Sequence, residues 1–332
     1  MADYKLEGMQ GKNVLVLGGL GFIGSNTMHK CVELGASVTA FDAMLGQYGA
    51  NMANLEGVKE KVEFVKADMR DFDALAEAVK GKDYIFNCAG QVSHVDSMEN
   101  PLFDVELNVQ ANLNLLETCR KHNDSVKIVY AGTIGQFGSQ EYLPIDEKHP
   151  TMPKDVYGID KLAAEKYHLL YSENYGMNAC SLRINNTYGE RHQMKHGNYG
   201  ILNWFIRLAL ENKKITVFGE GTQLRDYCYV QDIVDAQILA AQSEKANGKF
   251  YCTGTGKGMK FVDMVKMIIE KAGSGESEMV PFPAKRQRIE VGDVYFSHKK
   301  IKEELGWEPK TEFAEGLGKT IEFYRANLQK YI

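Results

Sequence analysis

The chain lacks the features that mark several large classes of protein. Its 332 residues contain no apolar stretch near the roughly 18 to 20 residues of a membrane span. No positively charged leader with a cleavage site precedes the first strand pattern, and no internal repeat or low-complexity segment follows it. Basic runs are missing too: 39 Lys and Arg against 44 Asp and Glu give a formal net charge of −5, so neither nucleic acid nor an anionic membrane is expected as a partner. The six cysteines (Cys31, Cys88, Cys119, Cys180, Cys228 and Cys252) are scattered, without a Cys-x-x-Cys, and mostly lie in apolar segments, as reduced core residues would. A cytoplasmic protein is the expectation. With 44% hydrophobic residues the chain can bury a large core, organised as one large unit or two lobes.

What is present begins at the amino terminus. Asn13-Val-Leu-Val-Leu17 is a continuous apolar run, read as a buried parallel strand, and it feeds directly into Gly18-Gly-Leu-Gly-Phe-Ile-Gly24. In such a turn Gly18 permits the tight reversal, Gly21 lets backbone approach a pyrophosphate and Gly24 lets the helix starting near Phe22 pack close to the strand. A second strand, Ser37-Val-Thr-Ala-Phe41, ends at Asp42, at the distance expected of a ribose-binding acid; the alternative is a simple helix or turn cap. A carboxylate there accepts bonds from a ribose 2′-hydroxyl and repels a 2′-phosphate, so NAD is expected rather than NADP. Cofactor contacts are expected from Gly18, Gly21, Phe22, Ile23, Gly24 and Asp42.

Strand and helix patterns then alternate: Val62–Val65, a helix over Phe72–Val79, Tyr84–Asn87, a helix over Pro101–Lys121, Val126–Tyr130 leading into Ala131-Gly-Thr133, a helix over Val156–Tyr175, and Ala179–Arg183. This is the rhythm of an α/β fold with a doubly wound parallel sheet. Ligands should gather at the carboxyl ends of its strands. After Asn186 the alternation loosens. The expected division is a dinucleotide-binding domain over 1–186, with part of 224–258 returning to it, and a smaller substrate lobe from 187–223 and 259–332.

Tyr157 and Lys161 stand four apart on a predicted helix, so the ammonium can lie beside the phenol on one face. A tyrosine ordinarily titrates near 10, and a nearby positive charge favours the phenolate, making Tyr157 a usable base. An isolated Tyr-x-x-x-Lys is more often a solvated helix face; the glycine turn in the same chain changes that weighing.

With the glycine turn, Thr133 after a strand and Tyr157-x-x-x-Lys161 in order, nearly the whole chain resembles the extended short-chain dehydrogenase/reductase family. Ala67-Asp68-Met69-Arg70 is similar to the family's adenine-contacting stretch, Asn87-Cys-Ala89-Gly90 to its turn under the nicotinamide side, and Asn108 to an asparagine that supports the site. Leu182-Arg-Ile-Asn-Asn-Thr-Tyr-Gly189, Val217-Phe218-Gly219 and Gln223-Leu-Arg225-Asp-Tyr227 resemble the family's nucleotide-sugar group, best known for UDP-glucose 4-epimerases. By that resemblance Asn186 would hold a sugar or phosphate, Val217 and Phe218 would line a nucleobase site, and Arg225 would pair with a diphosphate. A guanidinium fork suits phosphate oxygens, though an ion pair to Asp226 or Asp232 is the alternative. Arg288 is a second phosphate candidate, a structural ion pair being equally plausible.

The resemblance implies that Tyr157 takes a hydroxyl proton, that Lys161 lowers its pKa and binds the nicotinamide ribose, and that Thr133 bonds the reacting oxygen, unless it merely caps a turn. Between Gly90 and Pro101, Ser93, His94 and Ser97 should by position face a sugar ring, although His94 could be a surface-loop histidine. Sugar 4,6-dehydratases carry Asp-Glu directly after the threonine. This chain reads Thr133-Ile-Gly-Gln-Phe-Gly138, which leaves epimerisation at C4 as the simplest outcome. Epimerisation at C2, reduction of a keto sugar, or a dinucleotide-binding protein without catalysis stay open. Leu17, Phe137, Ala111-Asn112 and Glu190 also depart from the family pattern. His192 and His196 are four apart, but surrounding glycines suggest a loop and no third ligand is evident, so no metal is expected. Apolar residues on the two long helices, such as Leu107, Leu113, Leu115, Leu116, Leu169, Leu170 and Tyr171, exceed one sheet-facing stripe, so a homodimer is expected.

Overall fold

Short apolar runs with alternating side chains form the centre of the protein, because residues one apart on a strand face opposite sides of a sheet and both sides here are covered. The computed structural model describes residues 4–46, 48–283 and 290–332. Six strands, β1 (Asn13–Leu17), β2 (Ser37–Asp42), β3 (Val62–Lys66), β4 (Tyr84–Asn87), β5 (Lys127–Thr133) and β6 (Asn178–Ile184), are joined by Phe250–Cys252 into a seven-stranded sheet. All its pairings are parallel, in the order β3-β2-β1-β4-β5-β6 with Phe250–Cys252 outermost. The order reverses between β1 and β4, which opens a crevice at the carboxyl ends of the strands.

Val14 and Val16 of β1 face one core, under the helices Phe22–Glu33 and Val230–Gln242. Leu15 and Leu17 face the other, under Phe72–Val79 and Ala111–His122. A third core lies outside the sheet, where Ile201–Leu210, Phe261–Ala272 and Phe313–Asn327 bury Phe205, Met264, Ile268 and Tyr324. Lys214–Phe218 pairs in parallel with Glu276–Val280 beside them. The lobe therefore has strands that the loosened pattern hides. The segment Lys299–Trp307, expected in that lobe, instead places Ile301 and Trp307 in the core of the large sheet.

Several predicted elements extend or change. β5 runs on through Thr133 because Ala131 and Gly132 pair with β6, although glycine is a poor strand former. The helix from Pro101 widens into an i→i+5 turn at Glu106–Gln110 before continuing to His122. Leu107, Leu115, Leu116 and Tyr171 are buried rather than on a second stripe. Large apolar residues left exposed are Leu102 and Val105 on the helix from Pro101, Ile159, Leu170 and Tyr175 on the helix Val156–Tyr175, and Val95 and Met98 on the helix His94–Glu99. Among the described residues no helix is long and apolar enough to cross a membrane.

One ion pair fixes the helix that carries Tyr157. Asp155 caps its first turn by accepting from the Gly158 amide at 2.7 Å, and Gly176 ends it in the left-handed region at φ +68°. Midway along, Glu165 meets Arg183 of β6 at 2.7 Å, and both side chains are essentially free of solvent. The Arg183 guanidinium lies against the rings of Phe137 and Phe250, 4.7 and 4.0 Å from their centroids, and Ser181 donates to Glu165 at 3.0 Å. Removing one partner leaves a buried uncompensated charge. Glu165→Ala should therefore lower the unfolding free energy by about 3 to 5 kcal/mol, read by urea denaturation; a loss below about 1 kcal/mol would show that the pair does not anchor the helix.

Candidate active site

A cleft of about 470 Å³ opens where β1 and β4 diverge, lined by Gly18, Gly21, Phe22 and Ile23 on one side and by Thr133, Tyr157 and Lys161 on another. Gly18 takes φ +70°, and a side chain there would meet the backbone of Ala89 at 2.8 Å. A methyl group at Gly24 would stand 2.1 Å from the Gly18 carbonyl, so the helix can start this close to the strand only with glycine. Gly24 itself packs behind the turn. The cradle that results carries the backbone donors of a helix N-terminus and no side chain, which suits a pyrophosphate.

Asp42 lies at the end of β2, in the cleft wall and nearly buried. It accepts from the Leu20 amide at 3.0 Å and the Met44 amide at 2.8 Å, so the turn-capping role is real. A carboxylate has about four lone-pair sites, and two remain for ribose hydroxyls. Burial pushes this carboxyl up despite those two amides. Asp68 and Met69 line the cleft after β3, with Asp68 bonded to Arg70 at 2.8 Å. Ala89 and Gly90 follow β4. Gly90 is required because a side chain there would lie 2.4 Å from the Asn108 amide oxygen. Asn108 sits in the widened helical turn, fully buried behind the cleft wall, and donates to the Gln91 carbonyl at 3.1 Å and to Asp104 at 3.0 Å.

Tyr157 and Lys161 both line the cleft and are buried at about one-twentieth exposure. Their charges are not paired as the spacing suggests. The Lys161 ammonium donates to the Ala131 carbonyl at 2.7 Å and lies 4.3 Å above the ring of Tyr130. Burial pulls it down to about 8. Burial also pushes the Tyr157 phenol up to about 12; the Thr133 hydroxyl in hydrogen-bonding reach draws it down, and the Asp155 and Asp104 carboxylates push it further up. Thr133 accepts from the Gly135 amide at 3.1 Å, so it caps a turn and reaches the phenol at once. Beside Lys161, Asp160 is raised to about 7 by burial and by its pairing with Asp104.

Other expected residues are placed differently. Ser93 is buried and caps the helix His94–Glu99 through the Asp96 amide at 3.1 Å, and Ser97 is buried and accepts from the Tyr157 amide at 3.1 Å. Neither lines the cleft; both hydroxyls are spent on helix ends. His94 does line it. Asn186 lines it too, together with Asn185, Thr187, Gln193 and Tyr199, which no periodicity marks because they come from strand ends and loops. Val217 points into the small-lobe core and Phe218 lies near Phe282, both outside the cleft lining. Arg225 is also outside it. Its guanidinium holds the Glu290 carboxylate and the Gly292 carbonyl at 2.6 Å. Asp226 and Asp232, the other partners considered, are occupied by Thr255 and Asn185 and by the amides of Lys310 and Thr311. Arg288 lies outside the described residues. His192 bonds the Gln193 carbonyl at 2.7 Å, and among the described residues no group of His, Cys, Asp and Glu side chains could hold a metal ion.

Known proteins are similar to this chain over nearly its full length. A family model described as GDP-mannose 4,6 dehydratase matches residues 15–320. A putative UDP-glucose 4-epimerase of Methanocaldococcus jannaschii is 35% identical over 319 residues, 95% of this chain and 99% of that protein. The UDP-glucose 4-epimerase of Thermotoga maritima, solved with UDP-glucose, has a TM-score of 0.87 at 31% identity, covering 95% of this chain and 99% of its own. The dTDP-glucose 4,6-dehydratase of Bacillus anthracis, solved in complex with NAD, has a TM-score of 0.84 at 26% identity over 96% of this chain and 98% of its own. The family model and these relatives, epimerases and dehydratases alike, span nearly the whole chain, which therefore belongs to the nucleotide-sugar epimerase and dehydratase group of the extended short-chain dehydrogenase/reductase family.

Proposed function

We propose that the protein is an NAD-dependent nucleotide-sugar 4-epimerase acting on a UDP-hexose or a similar nucleotide-diphosphate sugar. The observation that carries this reading is the company around Tyr157. Thr133, Tyr157 and Lys161 share one cleft with the glycine turn, and the carboxylates among its described lining residues are Asp42 and Asp68, from the ends of β2 and β3. β2 lies three strands from β5, so neither acid stands beside Thr133 to drive elimination of water. The relatives solved with UDP-glucose and with NAD support the ligand classes.

The residues present fit the cofactor. Gly18 and Gly24 leave the cradle a side chain would fill, and Asp42 retains acceptor capacity for ribose hydroxyls. Bound NAD would supply reversible hydride chemistry at the sugar's C4. Tyr157 takes the C4 hydroxyl proton on its phenolic oxygen and returns it after the keto sugar has turned in the pocket. Thr133 bonds the reacting oxygen. Lys161, one helical turn along, contributes the positive charge that favours the phenolate and a donor for the nicotinamide ribose. His94 and Asn186 contact the sugar or its phosphates.

A homodimer belongs to the same proposal. Val95, Met98, Leu102, Ile159 and Leu170 are large apolar residues left exposed on adjacent helices, and Leu102 is 77% exposed. Paired with a second copy, these helices would cover one another. Six cysteines without a disulfide are in keeping with the cytoplasm.

Purified protein incubated with UDP-, dTDP-, CDP- and GDP-sugars should yield the C4 epimer by NMR with no cofactor added; consumption of reduced cofactor would point to a reductase instead. Tyr157→Phe should cut turnover by about 100-fold or more while NAD stays bound, and near-normal turnover would end its assignment as the base. Asp42→Ala should weaken NAD binding several-fold in calorimetry, and unchanged affinity would leave it only the turn cap. Leu102→Asp should shift sedimentation from dimer to monomer at micromolar concentration; a monomer before substitution would remove the dimer.

A further inference from the structure

We propose that His94, held by Asp155, is a positioning residue that offsets the field of that carboxylate at Tyr157 and so sets the pH at which the phenol ionises. This rests on Tyr157 being the base of the proposed reaction. Asp155 stands two residues before Tyr157 and caps the same helix through one oxygen, which accepts from the Gly158 amide at 2.7 Å. A Ser, Thr or Asn would cap that turn without charge. The charge therefore has no necessity in the capping, and it works against an adjacent phenolate.

The second Asp155 oxygen bonds the Nδ1 of His94 at 2.6 Å. The same imidazole meets the Tyr157 ring edge to face, with centroids 4.9 Å apart and planes at 80°. It thus touches both the carboxylate and the phenol. Asp155 is held below the usual carboxylate range: burial, the largest influence, raises it, but His94 and the Gly158 amide outweigh that. An ionised Asp155 fixes the proton of His94 on Nδ1. Nε2 has no hydrogen-bond partner among the described residues, and the side chain is about half exposed and lines the cleft.

The other groups that face Tyr157 leave the balance to this histidine. On its own helix are Asp155 and Lys161, whose ammonium is turned to the Ala131 carbonyl, with Asp160 beside it. The helix Pro101–Val105 contributes Asp104, and β5 contributes Thr133 and the neutral, fully buried Tyr130. Two carboxylates oppose the phenolate. Among the described residues, of the groups from other elements only His94 is hydrogen-bonded to the Asp155 side chain. Removing the imidazole leaves that carboxylate unscreened next to a phenol with little water around it, where charge acts strongly.

The test is a pH titration of phenolate absorbance in NAD-loaded protein, taken as the difference from Tyr157→Phe, so that only one tyrosine is read and no sugar is needed. His94→Gln should raise the midpoint by on the order of one pH unit. Combining it with Asp155→Ser, which keeps a helix cap but drops the charge, should return the midpoint to the starting value or below. A packing role alone predicts no recovery in the double variant. Asp155→Asn serves as a second neutral cap, and retained NAD reports an intact fold. An unmoved midpoint in His94→Gln, a double variant as displaced as the single, or no Tyr157 titration in the accessible range overturns the proposal. A shift and recovery in a protein that epimerises none of the sugars would sustain the pair and sink the reaction assignment instead.

Discussion

The buried contact between Glu165 and Arg183 ties the Tyr157 helix to the sheet, and the geometry of the cleft follows from it. Both charges are out of water, so the pair tolerates little displacement before the desolvation cost dominates. Arg183 belongs to β6 and Tyr157 to a helix that packs over it. Locking the two sets the phenol beside the carboxyl end of β5, where Thr133 emerges. A helix sliding by one turn would move its side chains by about 5.4 Å and separate the phenol from the hydroxyl. The two phenylalanines around the guanidinium keep water from loosening the contact.

Around that fixed helix the charges are arranged so that the ligand-free protein holds the phenol neutral. Burial raises Tyr157 and lowers Lys161, because each resists the form that carries charge in a dry site. The phenol does not reach the state the chemistry needs without an additional positive charge nearby, whereas Lys161, at about 8, keeps its charge near neutral pH. Oxidised NAD carries such a charge on its ring, so an assembled site and an activated base would appear together. Lys161 is poised for the change: its ammonium rests on a backbone carbonyl, a contact it can trade for another acceptor at small cost.

Much of the fold was legible in the sequence because it follows from local pattern. The alternation of apolar runs and helical periods announces the parallel sheet, and the glycine spacing announces the cradle, whose steric need for Gly18 and Gly24 the structure makes plain. Residue pairings across the fold were less legible. Ser93 and Ser97 lie in the right segment, but helix ends within a few residues claim their hydroxyls. Arg225 is suited to a diphosphate, yet Glu290, far along the chain, takes its guanidinium. The pairing of Lys214–Phe218 with Glu276–Val280 joins segments about sixty residues apart, which no local period can reveal. Asp155 caps its helix locally, but its second bond, to His94, joins residues 61 apart in the chain.

The residues that follow Thr133 separate two outcomes that begin alike. Epimerases and dehydratases of this family share the fold, so the difference must lie in what can donate a proton to a leaving hydroxyl once a keto group has formed. Here Ile134 and Gly135 offer no titratable group, and Gln136 is buried, with its amide nitrogen directed to the Lys161 carbonyl at 3.5 Å. An amide cannot give up a proton near neutral pH. His94 lines the same cleft, but its Nδ1 is engaged by Asp155 and its ring is set against Tyr157. Placed this way, it faces the proposed base, in keeping with the proposed reaction, which ends with the sugar's oxygens all in place.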